Sequence, residues 1–409
     1  MEQVRDKLGI TYSVKTESSL EAFNNIIESY LGNLDDVMPK LDALLEVDST
    51  MPMALVLKGY LMKLAGDPKF TRPIKHFLSQ LSENNIQNER EALHIAALQA
   101  WTDNHNDKAL DILETLLVSD QKDMLALRMA HYMHFYAGTA EKMRDSVNRA
   151  IQVWGEDDPF YAYLLGMYSF GLEESGNYEE AEKLGKKAIL LNPKDVWASH
   201  AVTHVFQMQK RSDEGIAWLE ELIPQWRNTN NFVYHLHWHK ALFYLGKKDY
   251  ETALSLYDQH LISPLTDDFY LDICNATSLL WRLEMLGIDV GDRWQALASY
   301  AENRICDDEL VFSSLHYLMV PARLKNTALL KNAMDHYQSW SMEETNQGAI
   351  CKLVGLPLAE SIIQFGAGDY TKAKQNLNLI QDNIFKIGGS HAQRHLFDDF
   401  KNYAEAQSR

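Results

Sequence analysis

Apolar residues recur at helical spacing along nearly the whole chain, and the runs come in pairs divided by short polar turns. SLEAFNNIIESYLGN and LDDVMPKLDALLEVD predict a first hairpin over about residues 19 to 47, with Gly32 and Asn33 in its turn and Asp35 placed to cap the second helix. MALVLKGYLMKLAG and TRPIKHFLSQLSEN predict a second pair, in which Pro73 suits the first turn of a helix. NEREALHIAALQAWTDN and DKALDILETLLVSD predict a third.

Between such runs one phrase keeps returning: GNYEEA at 176 to 181, GDRWQA at 291 to 296 and GDYTKA at 368 to 373, with KKDYETA at 247 to 253 as a variant. A turn with Gly or Asp, then an aromatic, then a small residue is the hinge of a helix-turn-helix repeat, because the small side chain lets two helices approach closely. From Ala109 the same position falls at Met143, Ala181, Gly215 and Ala253, in steps of 34, 38, 34 and 38 residues. That is near the tetratricopeptide period of about 34. The best single match runs from Ala162 to Asp195. With Ala181 at repeat position 20, Ala188 falls at position 27 and Pro193 at position 32, as the pattern requires. Beyond Ala253 the steps lengthen: Ala296 is 43 residues on and Ala373 a further 77, with a degenerate hairpin over 308 to 341 between them. The pattern predicts an all-α, tetratricopeptide-like α-solenoid, a superhelix of about ten hairpins. An N-terminal extension (1–18) precedes a continuous repeat domain (19–387), and a charged C-terminal helix (388–409) caps the stack or folds over its concave face.

Composition narrows the partners. No Pro/Gly/Ser-rich linker divides the 409 residues, which suits repeats that pack only on their neighbours. The formal charge of −18 argues against nucleic acid and anionic membranes, and favours cationic, zwitterionic or neutral ligands. Cys274, Cys306 and Cys351 form no CxxC pair, which points to a reducing compartment and away from a thiolate zinc site. The start MEQVRDKLGI is charged and no uncharged apolar run of about 18 residues occurs, so a cytoplasmic location is expected.

Several phrases resemble the tetratricopeptide repeat protein 38 family: NEREALHIAALQAW (88–101), GMYSFGLEESGNYEEAEKLGKKAI (166–189), HAVTH (200–204), HLHWHKALFY (235–244), YDQH (257–260), LDICNATSLLWRLEMLG (271–287) and GGSHAQRHLFDDF (388–400). They follow the family's order from roughly residue 16 to 400. The resemblance implies a helical-repeat protein and no established reaction. The last motif departs from the family, since His395 follows Arg394 where an acidic or polar residue is usual.

Two histidine pairs dominate the candidate chemistry. His200 with His204 and His235 with His239 have i, i+4 spacing on the first helices of successive hairpins, so each pair shares a helical face and the four are expected to converge. In repeat register they fall at positions 5, 9, 2 and 6, on or beside the concave face, whereas His237 at position 4 points into its hairpin. Preceding hairpins add Tyr163, Gly166, Phe170, Glu173 and Glu174, and before those Leu125, Arg128, Tyr132, Phe135 and Tyr136. With Trp238 as a further apolar wall, this is the make-up of a groove for a peptide, a protein segment or a small molecule. The rival is a metal-assisted or histidine-dependent hydrolase. Its imidazoles would hold zinc or another divalent ion, with Glu173 or Glu174 as a further ligand or base, although HAVTH lacks the Glu of HExxH. The plain alternative is histidines satisfied within a structural interface, as expected for His131 and His134 at packing positions 8 and 11.

Two further sets carry less. In GGSHAQR, Ser390 caps a helix whose start, with His391 and Arg394, would clamp an anion. Asp258, His260, Asp272 and Arg282 mark a hairpin junction, with Asp272 and Arg282 expected as partners. The chain has no phosphate loop GxxxxGK[ST], no GxGxxG after a strand, no GxSxG elbow and no basic stripe interleaved with aromatics.

Overall fold

The computed structural model of the chain describes residues 1–83 and 88–407. Consecutive helical hairpins of tetratricopeptide type make up the all-α body. The segment expected as an extension opens instead with two antiparallel strands, Glu2–Arg5 and Thr11–Val14, paired from Glu2 with Val14 to Arg5 with Thr11. Asp6 Oδ1 holds the turn by accepting the amides of Leu8 and Ile10. Glu91 then fixes the hairpin to the helix Glu89–Thr102, accepting both the amide and the hydroxyl of Ser13.

The chain forms two compact units. One comprises residues 1–135, 139–205 and 220–233, the other 136–138, 206–219 and 234–409. The repeat period alone marks no such boundary.

The returning phrase has a clear physical basis, although GDRWQA departs from it, with Ala296 exposed and Leu297 buried in its place. Gly176 and Gly368 end their helices with φ of +79° and +84°, a left-handed turn that glycine adopts without strain. Ala181 and Ala373 are fully buried, and each carbonyl accepts a hydroxyl from the preceding helix, Ser169 at 2.6 Å and Ser361 at 2.8 Å. A larger residue would force those helices apart.

The period is best described as two hairpins. Helices Glu89–Thr102, Asn106–Ser119 and Met124–Tyr136 return as Tyr161–Glu174, Tyr178–Leu191 and Val196–Met208, with every boundary displaced by 72 residues. Alternating steps of 34 and 38 follow from that double repeat. In the second unit the lengthened steps have local causes. A π turn at Tyr257–Leu261 and a 3-10 turn at Ser263–Asp267 extend one hairpin, and a second π turn at Cys351–Gly355 extends another. The stretch expected to be degenerate contains two regular helices, Val311–Leu324 and Thr327–Trp340, with buried Ala333 as its small residue. Its turn uses Lys325 at φ +57° and an Asn326 cap, so the Gly-Asp signal is absent there.

The helical segment Asn346–Ala367 has the length and hydropathy of a membrane span, and half of its most apolar window is buried inside the structure. Val354, Leu358, Ile362 and Phe365 belong to the core of the second unit, so packing accounts for its apolar character.

Candidate ligand-binding and metal-ligating site

In the first unit the site grows from successive hairpins. Helix Val196–Met208 starts at Asp195, whose Oδ1 accepts the Ala198 amide at 3.0 Å, a regular N-cap. From that cap the helix projects Trp197, His200 and His204 along one face. Helix Tyr161–Glu174 supplies Phe170, Glu173 and Glu174, and helix Met124–Tyr136 supplies Arg128, His131 and Tyr132.

These side chains form a continuous row. The Arg128 guanidinium lies 4.0 Å from the Trp197 ring centre and 4.6 Å from that of Tyr132. Trp197 meets Phe170 edge-on at 5.1 Å and His200 at 5.4 Å. His200 stacks on Phe170 and stands 4.3 Å, centre to centre, from His204. His204 Nδ1 is 3.4 Å from Glu173 Oε2 and 3.6 Å from Glu174 Oε1. Nearly all of this is buried: Glu173, His204 and Phe170 show no exposure, and Arg128 shows 2%. Tyr132, Tyr163 and Phe232, which packs on Trp197 and His200, form a partly exposed rim.

Three buried polar groups in this region have no ordinary partner. Arg128 makes one side-chain hydrogen bond, to the Tyr132 hydroxyl at 3.0 Å, its Nε has no acceptor, and no carboxylate among the described residues pairs with it. Neither ring nitrogen of His131 is hydrogen-bonded. Burial, reinforced by the charge of Arg128, holds that imidazole well below its usual pKa, so it is neutral. Asp195 Oδ2 is also unpaired. Its carboxyl is pushed up to about 7 by burial, which outweighs the Ala198 amide and the charge of Arg128.

The double repeat supplies an internal reference for Asp195. Seventy-two residues earlier Asp123 caps its helix in the same way, accepting the Ala126 amide at 2.9 Å. Its second oxygen accepts Arg90 Nη1 at 2.6 Å and lies 3.0 Å from His94 Nε2. Burial raises that carboxyl too, but the charges of Arg90 and His94 hold it well below the carboxylate range. At the counterparts of Arg90 and His94 stand Ala162 and Gly166. A Cβ on Gly166 would lie 2.9 Å from Ala198 Cβ and 3.0 Å from Asp195 Oδ2, so the bare backbone sits where a partner side chain would stand.

The second unit holds the other histidine pair. His235 Nδ1 lies 3.0 Å from Asn275 Oδ1, and the ring stacks on Trp238 at 5.1 Å and meets His239 at 4.7 Å. Trp238, expected as a groove wall, belongs to the core: it has no exposure and donates to Ser278 at 3.0 Å. His237 points away as expected, stacking on His260 with ring centres 3.7 Å apart. Burial, then the nearby His260 and Lys240, lowers the His237 pKa to about 3.

Two expectations are corrected. Arg282 does not pair with Asp272. It donates to the Ala392 carbonyl at 2.9 Å, lies 3.6 Å from Asp399 and covers Trp238, tying the C-terminal helix to Tyr270–Met285, while Asp258 pairs with Arg293. Arg394, expected as an anion clamp beside His391, turns back on its own loop and donates to the Gly388 and Gly389 carbonyls. Ser390 and Gln393 form a reciprocal capping box at the same helix start, which engages amides otherwise available to an anion. His134 is structural as expected, bonded to Thr139 and Glu114. Sequence reasoning did not single out Trp197, Asp195 or Phe232, and it took His131 for a satisfied packing histidine, whereas neither of its ring nitrogens is hydrogen-bonded. The Asp123/Asp195 equivalence at 72 residues was the available signal.

No family model matches the chain. Among solved structures it is similar to a Rap protein complexed with competence and sporulation factor, at 9% identity over 87% of this chain and 98% of the other, with a TM-score of 0.44. It is also similar to Naa15/Naa10 bound to HypK-THB, at 12% identity over 90% of this chain and 64% of the other, with a TM-score of 0.24. At these scores neither likeness bears on function.

Proposed function

We propose that this chain is a tetratricopeptide-type binding scaffold whose first unit holds a zwitterionic ligand, a short peptide or an amino-acid-like small molecule, against the row from Arg128 to Glu173. The observation that carries the reading is Arg128: a guanidinium 2% exposed, clasped by two aromatic rings, with no carboxylate partner among the described residues. Asp195 acts on this cation only through space, and a ligand carboxylate would supply the hydrogen-bonded acceptor in the fork geometry arginine favours. Trp197, Phe170 and Tyr132 provide aromatic walls, His200 and His204 ring nitrogens as donors or acceptors, and Glu173 and Glu174 an acidic end for a cationic group. Tyr163, on the partly exposed rim, completes the set. The phrases that resemble the tetratricopeptide repeat protein 38 family support membership of that family, the unpaired cysteine pattern supports a cytoplasmic setting, and the charge of −18 supports a partner other than nucleic acid or membrane.

The test is calorimetric titration of the full chain with a panel of dipeptides and dicarboxylates, repeated on Arg128→Met. Binding by wild type and loss of at least tenfold in affinity in the variant, at unchanged or higher unfolding stability, is expected. Equal affinity in the variant, or no binding by any carboxylate probe, would sink the reading. The metal-assisted form of the hydrolase alternative needs a bound cation, and the grouping of Glu173, Glu174 and His204 favours that much.

A further inference from the structure

We infer that Glu173, Glu174 and His204 form a divalent-metal site, a two-carboxylate, one-imidazole set that takes zinc or manganese(II). The inference rests on the proposed ligand-binding reading of the same face and refines it, since a resident metal ion takes the place of the ligand's cationic group at the acidic end and the ligand is held by its carboxylate.

Geometry is the first argument. One ligand atom from each of the three residues lies within 4.8 Å of the others. The distances of 3.4 and 3.6 Å from His204 Nδ1 to the two carboxylate oxygens are longer than a charge-assisted hydrogen bond of about 2.7–2.9 Å. They match the edge of a tetrahedron built on metal–ligand bonds of about 2.0–2.2 Å, which is ~3.4 Å. Both carboxylate oxygens thus stand at a ligand-edge distance from one imidazole nitrogen, with the three ligand atoms within 4.8 Å of one another.

Charge placement is the second argument. Glu173 and Glu174 are the last two residues of helix Tyr161–Glu174, where the partial negative charge of the helix end disfavours carboxylates and favours cations. They are also buried, at 0% and 5% exposure. A divalent cation bound there would offset both carboxylates and the negative helix end at once. The flanking repeats avoid the arrangement: the matching positions carry Phe135 and Tyr136 in one and Gln207 and Met208 in the other. The acidic pair is thus particular to the one repeat that faces His204.

Donor chemistry sets the metal class. One imidazole and two carboxylates suit borderline to hard ions such as zinc, manganese(II) or iron(II), and three protein ligands leave a coordination position for water or a ligand atom. Phe170, packed edge-on to His204 at 5.4 Å, supplies an apolar side to the shell.

The experiment is metal analysis of the full chain purified without chelator, followed by competition titration of the chelator-stripped protein with zinc and with manganese(II). Glu173→Gln, Glu174→Gln and His204→Gln are titrated in parallel, together with Glu302→Gln, an exposed carboxylate of the second unit. About one ion per chain is expected, with affinity falling at least tenfold in each of the three site variants and unchanged in Glu302→Gln. Thermal unfolding of the metal-free variants controls for folding, because Glu→Gln removes buried charge and should not lower the apo midpoint. Wild-type affinity in Glu173→Gln and Glu174→Gln, or no binding of either ion at millimolar concentration, overturns the site. The titration uses no organic ligand, so its failure leaves carboxylate capture by Arg128 to be judged on its own assay.

Discussion

Asp195→Asn isolates the consequence of leaving a buried carboxylate without the partners that Asp123 has. The N-cap survives, because the Asn oxygen accepts the Ala198 amide as Asp195 Oδ1 does at 3.0 Å. Only the ionisable oxygen is lost. In the folded chain the Asp195 carboxyl is raised from 3.8 to about 7, chiefly by burial, with Arg128 as the charged group acting on it and Tyr163 beside it. Between those two values the folded state keeps a proton that the unfolded chain releases, so wild-type stability falls as pH rises through the window and levels off above it. At about 1.36 kcal/mol per pKa unit, wild type loses about 3–4 kcal/mol relative to the variant between pH 4 and pH 8. A constant offset also enters, because the new Asn amide nitrogen is buried, but it does not vary with pH. The assay is denaturant unfolding of both proteins at half-unit steps from pH 4 to 8, with hydrogen exchange of the amides at 196–205 to assign the change to the first unit. A difference that stays flat across the range, or that grows in favour of wild type, would refute the account of Asp195 as a proton-holding, unpaired carboxyl.

The remaining predictions concern packing and the other buried charges. Asp123→Ala strands Arg90 and removes a cap, and should cost about 3–5 kcal/mol by denaturant unfolding. Gly185→Ala places a Cβ 2.5 Å from Val202 Cγ2 and 2.7 Å from the Ser169 hydroxyl, which is itself held by Ala181, and should cost about 1–3 kcal/mol in the same assay. His237 is kept neutral in the folded state with a pKa of about 3, so the unfolded chain takes up protons first, and stability contributed by this residue is lost as pH falls from about 6.5. His237→Gln should therefore narrow the gap between unfolding midpoints at pH 7 and pH 5, and an unchanged gap would contradict the shift.

Local signals and paired signals were not equally legible in the sequence. Hinges such as GNYEEA and GDYTKA were readable because glycine with positive φ, an aromatic and a buried alanine sit within six residues, so each copy announces itself. The hairpin at 311–340 escaped because Lys325 and Asn326 perform the same turn with side chains that carry no such mark. His200 and His204 were legible for the same reason as the hinges, their spacing being a property of one helix. Asp195 was not, because its chemistry depends on what is missing at 162 and 166, in another helix. A cap aspartate looks ordinary in sequence whether its second oxygen is paired, as in Asp123, or bare. Only the 72-residue period makes the absence visible, by setting Arg90 and His94 over Ala162 and Gly166. Repeat proteins offer this comparison within a single chain: where one copy pairs a buried carboxyl and the next leaves it bare, the same cap aspartate is held ionised in the first and protonated in the second.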